Sequence, residues 1–325
     1  MKSLKNKKIL ITGGAGFIGS HLTNKLVNYG AKVAVTVKYN SIIDCPRLNK
    51  LWEKIDIIEA DLRNTDSVNE MRGLKFDLVF HLAAYNHVGD SFKHVHENVS
   101  SNLISTINLL NNGPKFYKLI HIGSSEIYGL QKLLPFKTKE KPNPMSPYGV
   151  TKYASELMAI LKSKYSKINL LCVRPFNTFG PFQSEKAIIP EIILKCLQNK
   201  EIKTTAGRQT REFNYVDNIV DGILFLNKKI KHSFEPLDIG SNKPISIKNL
   251  VKKIHSYTES SSKLKIGALK YRPNKIWNMQ SDNKAILSKG WRPRINFEEG
   301  LKKTIVWYRE FNHIYLDKKG KFKKL

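Results

Sequence analysis

Residues 7–19 read KKILITGGAGFIG: a short apolar run, then three glycines, Gly13, Gly16 and Gly19, spaced GxxGxxG. The run predicts a buried strand over 7–12, and FIGSHLTNKLVNYG predicts a helix that starts at Phe17 and ends at Gly30. Glycines at a strand-to-helix turn permit a tight bend and a close approach of backbone to a pyrophosphate. The helix N-terminus then stabilises the negative charge. A glycine triplet alone is weak evidence. Its place after the first strand of a βαβ pattern makes it a dinucleotide signal, with Gly13, Gly16, Phe17, Ile18 and Gly19 at the phosphates.

Outward from this turn the same alternation repeats. AKVAVTV (31–37), KIDIIEAD (54–61), DLVFHLAA (77–84), KLIHIGSS (118–125) and NLLCVRPFN (169–177) read as strands. DSVNEMRG (66–73) and HENVSSNLISTINLLNN (96–112) read as helices. So does the segment from Pro147, whose stripe is Val150, Ala154, Leu157, Met158 and Leu161. Strands apolar on both faces, alternating with helices, predict the α/β class: a Rossmann-type doubly wound parallel sheet. The alternation breaks after residue 175. The expectation is a dinucleotide-binding domain over 1–175, its sheet completed by a segment near 210–240. A smaller α/β substrate domain follows over 176–325, a division the length of 325 residues favours.

The formal charge of +28 raises the question of nucleic acid. Of 55 basic residues only 10 are arginine, and the lysines are dispersed rather than gathered on one element. That argues against nucleic acid and for a surface that steers anionic small molecules. No stretch approaches the apolar length of a membrane span. The apolar run ILI near the N-terminus is too short for a signal peptide. Cys45, Cys172 and Cys196 are far apart and lack metal-ligand spacing, so the expectation is a cytoplasmic chain with no metal.

A site selective for NAD usually carries Asp or Glu near the end of the second strand, gripping the ribose 2′-hydroxyl. Here Val37 and Lys38 stand there, and a cation suits the 2′-phosphate of NADP, which tilts the expectation slightly to NADP. Asp61 is placed to meet the adenine amino group. Tyr148 and Lys152, in SPYGVTK, have YxxxK spacing, so they share a helix face. A neighbouring ammonium lowers a phenol pKa and can also hold the nicotinamide ribose. Ser124 falls at the end of a strand, where the active sites of open parallel sheets gather.

With these residues in place, the chain resembles the extended short-chain dehydrogenase/reductases, the NAD-dependent epimerase/dehydratase family acting on nucleotide sugars. TGGAGFIGSHL, Asp61–Leu62, HLAA at 81–84, SSEIYG, PYGVTK, RPFNTFGP at 174–181, TREFNYVDN at 210–218 and KGWRP at 289–293 carry the resemblance. It implies Ser124, Tyr148 and Lys152 for hydride chemistry at the sugar C4. It adds Leu62, Leu82, Ala83, Ala84 and Phe176 to the cofactor site, and His87, Asn177, Ile189, Arg211 and Arg272 to the substrate site. The cofactor is then tightly bound and recycled. In this family glutamate at position 126 marks nucleotide-sugar 4,6-dehydratases and related decarboxylases, whereas simple 4-epimerases have a small or neutral residue. Ser124-Ser125-Glu126 resembles the Thr-Ser-Glu of GDP-mannose 4,6-dehydratases and departs from the Thr-Asp-Glu of the dTDP-glucose enzymes. RPFNTFGPFQSEKAIIPEII is similar to bacterial dehydratases of the legionaminic-acid type. The leading expectation is a 4,6-dehydratase, with Glu126 as base and Ser125 aiding proton delivery. The alternatives are a 4-epimerase, 4-keto reductase or decarboxylase, or a non-catalytic NADP-binding regulator. The resemblance also implies a homodimer through helices near 94–112 and 147–164.

Overall fold

The computed structural model describes residues 4–38, 46–271 and 275–315. Six strands, β1 (Lys8–Thr12), β2 (Lys32–Val37), β3 (Ile55–Glu59), β4 (Lys75–His81), β5 (Lys115–Ile122) and β6 (Asn169–Pro175), join a seventh, Leu237–Ile239, in one sheet. Every pairing in it is parallel. The spatial order is the seventh strand, β6, β5, β4, β1, β2, β3. This is a Rossmann-like α/β fold. Ile9, Leu10 and Ile11 are fully buried, which explains why the run after the N-terminus is apolar on both faces. The chain builds outward from β1 to β3 at one edge and then returns to β4 on the other side of β1. That reversal opens a crevice at the carboxyl ends of the strands.

The helices that frame the crevice are α1 (Phe17–Asn28), α2 (Thr65–Asn69), α3 (Val88–Ser91), α4 (Val95–Asn98), α5 (Ser105–Asn112) and α6 (Pro147–Lys164). Helix α1 terminates where the sequence indicates, with Gly30 at φ 74°. The single helix read over 96–112 is continuous but widened, because a π-helical turn, Val99–Ile104, separates α4 from α5. Asn102 in that turn accepts from the Tyr85 backbone N–H (2.7 Å) and donates to Thr151 Oγ1 (2.9 Å). These bonds tie the turn to the loop after β4 and to α6.

Helix α6 starts on a Ser146 cap, whose hydroxyl accepts the Gly149 N–H (3.1 Å), followed by Pro147. Much of its apolar stripe faces away from the core, although Met158 packs against it. Val150, Leu157 and Leu161 are 52%, 46% and 47% exposed, whereas Thr151, Lys152, Ser155, Glu156 and Ala159 are buried. The polar face points inward because Glu156 pairs with Arg174 of β6 at 2.6 Å, and Lys152 reaches β5.

Beyond residue 175 the chain serves two cores. Helices Ile188–Leu197, Ile247–Thr258 and Phe297–Phe311 gather Ile193, Leu250, Ile254, Leu301 and Tyr308 into one of their own. Helix Val216–Lys229 and strand Leu237–Ile239 instead return to the sheet, where Ile219 and Ile223 share a core with Leu22 and Leu26 of α1. No helix of the described residues is long and apolar enough to cross a membrane.

Candidate active site

A long pocket follows the carboxyl ends of the strands from β2 to β6, with the glycine turn as its floor. Gly13 has φ 70°, and a Cβ there would stand 2.8 Å from the Ala83 backbone nitrogen. A Cβ at Gly19 would strike the Gly13 carbonyl oxygen. No side chain caps the first turn of α1. A backbone pressed bare against a helix N-terminus fits a pyrophosphate. Phe17, Ile18, Leu62, Leu82, Ala83, Ala84 and Phe176, together with Gly16, line the same pocket. The residues present therefore fit a nicotinamide dinucleotide.

At one end Lys38, Asp61, Arg63 and Glu97 line the wall together. Asp61, expected to meet the adenine amino group, lines this end of the pocket, and both its carboxylate oxygens accept from Arg63 Nε at 2.9 and 3.0 Å. The hydrogen bonds from Arg63 hold its carboxyl below the usual carboxylate range. Lys38 has its ammonium 3.9 Å from Glu97 Oε1. Sequence reasoning passed over Arg63 and Glu97. Arg63 follows Asp61 by two positions, a signal that was available; Glu97 is brought in only by the path of the chain.

At the other end β5 stops at Ile122, and a 3₁₀ turn, Ser125–Ile127, carries Glu126. Ser124 caps that turn, its hydroxyl accepting the Glu126 N–H at 3.2 Å. Ser124 also hydrogen-bonds the half-buried Tyr148 phenol, so one hydroxyl links the turn to α6. Lys152, buried, donates to the Ile122 carbonyl at 2.6 Å. Ser124, Tyr148 and Lys152 all line the long pocket. The expected fall in the phenol pKa does not follow. Burial, helped by the Glu126 charge, pushes Tyr148 up to about 12 against the pull of Ser124. The Lys152 ammonium is directed to a backbone carbonyl, and burial lowers its own pKa to about 8. Ser125 is buried, and its hydroxyl donates to Met279 Sδ at 3.8 Å.

The turn is anchored from behind. Tyr128 donates to both oxygens of Asp238 (2.8 and 2.9 Å) at the edge strand, and its ring lies 5.0 Å from the Arg174 guanidinium. All three are almost free of solvent.

A second pocket adjoins the first, and Glu126, Asn177, Thr178 and Gln183 line both. His87, Ile189 and Arg211 line the second. His87 Nδ1 accepts the Asp90 N–H at 2.9 Å, which leaves Nε2 to carry the ring proton. Arg211 donates to the carbonyls of Thr210, Ile276 and Trp277. Burial favours the acid form of Glu126, and the Arg211 charge opposes it. Arg208, near Arg211 in sequence, is exposed and lines neither pocket. Arg272 lies outside the described residues, as does Cys45.

A parallel sheet with a glycine turn at its switch point and a serine, tyrosine and lysine at the facing strand end defines the short-chain dehydrogenase/reductase class of nucleotide-sugar enzymes. Within it the chain belongs to the GDP-mannose 4,6 dehydratase family, whose model matches residues 10–304. It is 29% identical over 321 residues to human dTDP-D-glucose 4,6-dehydratase, covering 94% of this chain and 91% of that one. Its fold is similar to that of UDP-glucose 4-epimerase from Thermotoga maritima, solved with UDP-glucose (TM-score 0.83, 26% identity, 93% of this chain and 99% of that one). It is also similar to UDP-glucuronic acid 4-epimerase from Bacillus cereus, solved with NAD and a fluorinated UDP-sugar (TM-score 0.85, 27% identity, 93% and 99%).

Proposed function

We propose that the protein is a nucleotide-sugar 4,6-dehydratase, which converts an NDP-hexose into the NDP-4-keto-6-deoxyhexose. Glu126 carries this reading: a carboxylate held in the same turn as Ser124 and lining both pockets. The domain over 1–175 holds the cofactor, and the domain over 176–325 holds the nucleotide sugar. Tyr148 takes the proton of the C4 hydroxyl, with Ser124 hydrogen-bonded to the same oxygen; because burial favours the phenol, the deprotonated form has to be reached against it. Lys152 holds the nicotinamide ribose. The nicotinamide, when bound, supplies reversible hydride storage between C4 and C6. Once C4 is a ketone the C5 hydrogen is acidic, and Glu126 removes it. Hydroxide leaves C6 as water, with Ser125 aiding proton delivery. Asn177, His87, Ile189, Arg211 and Arg272 hold the nucleotide sugar, the arginines taking the diphosphate. Lys38 supports NADP as the cofactor, and Glu97 beside it supports NAD.

The exposed Val150, Leu157 and Leu161 of α6, with Ile104 beside them in sequence-predicted partner helix 94–112, support a homodimer formed through these faces in the cytoplasm. A second reading, a 4-epimerase, has the solved relatives in its favour. It needs Ser124, Tyr148 and Lys152 but no base at C5. The experiment that separates them is Glu126→Gln. A general base is typically worth about a hundred- to ten-thousandfold. In the dehydratase the variant retains oxidation at C4, accumulates reduced cofactor and loses both C5 exchange in deuterated water and loss of water from the sugar. Undiminished water loss in the variant removes Glu126 from the mechanism and brings the epimerase forward.

A further inference from the structure

We propose that Glu97 is the residue that selects the form of the cofactor, admitting the free ribose 2′-hydroxyl of NAD and opposing the 2′-phosphate of NADP. The proposal rests on reading the long pocket as a nicotinamide-dinucleotide site. In such sites a carboxylate near the end of the second strand accepts the ribose hydroxyl, and a cation there receives a phosphate. At the end of β2 this chain has Lys38, which by itself signals the phosphate. The fold supplies the missing carboxylate from a different element, the helix α4.

Glu97 is held there by three groups. Arg63 Nη1 donates to its two oxygens at 2.9 and 2.8 Å, and Ser101 Oγ donates to Oε1 at 3.0 Å. The same Oε1 faces Lys38 Nζ at 3.9 Å. Arg63 is in turn committed to Asp61 through Nε. Lys38, Arg63, Asp61, Glu97 and Ser101 all line one wall. Among the described residues two cations and two carboxylates balance on this wall, and each cation has a carboxylate against it. A phosphate arriving here meets Glu97 directly and must compete with Glu97 and Asp61 for Arg63. A neutral hydroxyl can donate to the carboxylate at no such cost.

The test is the pair of dissociation constants for NAD and NADP, measured by titration calorimetry on the parent protein, on Glu97→Gln and on Glu97→Gln combined with Lys38→Ala. The parent is expected to bind NAD more tightly than NADP. Glu97→Gln keeps the size and a hydrogen-bond acceptor but removes the charge. It should shift the NAD/NADP affinity ratio toward NADP by about tenfold or more, equivalent to about 1.4 kcal/mol. Adding Lys38→Ala should reverse most of that gain, because Lys38 is the cation that Glu97 otherwise opposes. A parent that prefers NADP, which needs no variant to be seen, overturns the proposal. So does a ratio that Glu97→Gln leaves unmoved while both dinucleotides bind, and in that case the cofactor reading survives. If the parent binds neither dinucleotide, the cofactor reading itself fails and the proposal falls with it.

Discussion

The Glu126 carboxyl and the Arg211 guanidinium act on each other across the second pocket. Burial raises the pKa of Glu126, and Arg211 pulls it back; burial lowers that of Arg211, and Glu126 pulls it back. A base at C5 has to be ionised, so the ease of elimination depends on which of these influences prevails. The rate of C5 exchange should therefore fall as pH drops through the raised pKa of Glu126, and level off above it. Arg211→Gln removes the opposing cation, so Glu126 titrates at a higher pH and the acid limb moves upward. The check is the pH profile of C5 exchange at saturating substrate. A limb that stays in place or moves down means that Arg211 does not govern Glu126.

Tyr148 is pushed up to about 12 by its surroundings, and the proposed hydride transfer needs its oxygen. Tyr148→Phe keeps the ring and removes the acid–base group. Reduction of the cofactor by substrate should slow by on the order of a hundredfold or more, with substrate binding little changed. Single-turnover absorbance of the nicotinamide measures the first quantity and calorimetry the second. Near-parental reduction would show that another group takes the C4 proton.

Tyr128 is a matter of stability. Its hydroxyl donates to both oxygens of the buried Asp238. Tyr128→Phe leaves that carboxyl without a partner it cannot replace from solvent, at a cost of about 1–3 kcal/mol. Denaturant unfolding should show a lower midpoint at unchanged slope. An unaltered midpoint would mean that Asp238 is satisfied elsewhere.

Light scattering tests the dimer. Val150, Leu157 and Leu161 of α6 stay exposed in the protomer. The parent should run as a dimer at micromolar concentration. Leu157→Glu, which places a charge at the centre of the stripe, should shift it to a monomer with the protomer still folded. A parent that is monomeric throughout leaves the stripe without this role.

The fold, and the residues that line its pocket, were legible for the same reason: both are encoded by local spacing. The GxxGxxG turn after an apolar run, the repeated strand–helix alternation and the YxxxK pair each depend on residues a turn or a strand apart, whose directions are set by backbone geometry. Neighbouring residues are harder to read when a contact crosses the sheet. The stripe of α6 reads as core in any helical projection. It faces outward because Glu156 and Lys152 on the opposite face have partners on β6 and β5. Periodicity says that a helix has two faces, not which of them the sheet receives.

By itself the sequence determined the parallel α/β class and picked out the glycine turn, Ser124, Tyr148 and Lys152, which the fold places in one pocket. Tertiary structure alone decided the ionisation of the site and the charge at the adenosine end. Tyr148 is pushed up, not down, since burial outweighs the hydrogen bond from Ser124, and Lys152 donates to Ile122 instead. Lys38 is opposed by Glu97 because a helix far along the chain brings that carboxylate to the same pocket. Hydrophobic pattern and turn chemistry act over a few residues and can be read along the chain. Desolvation and Coulomb interactions act through space, so their sign is settled only when the chain has closed around them.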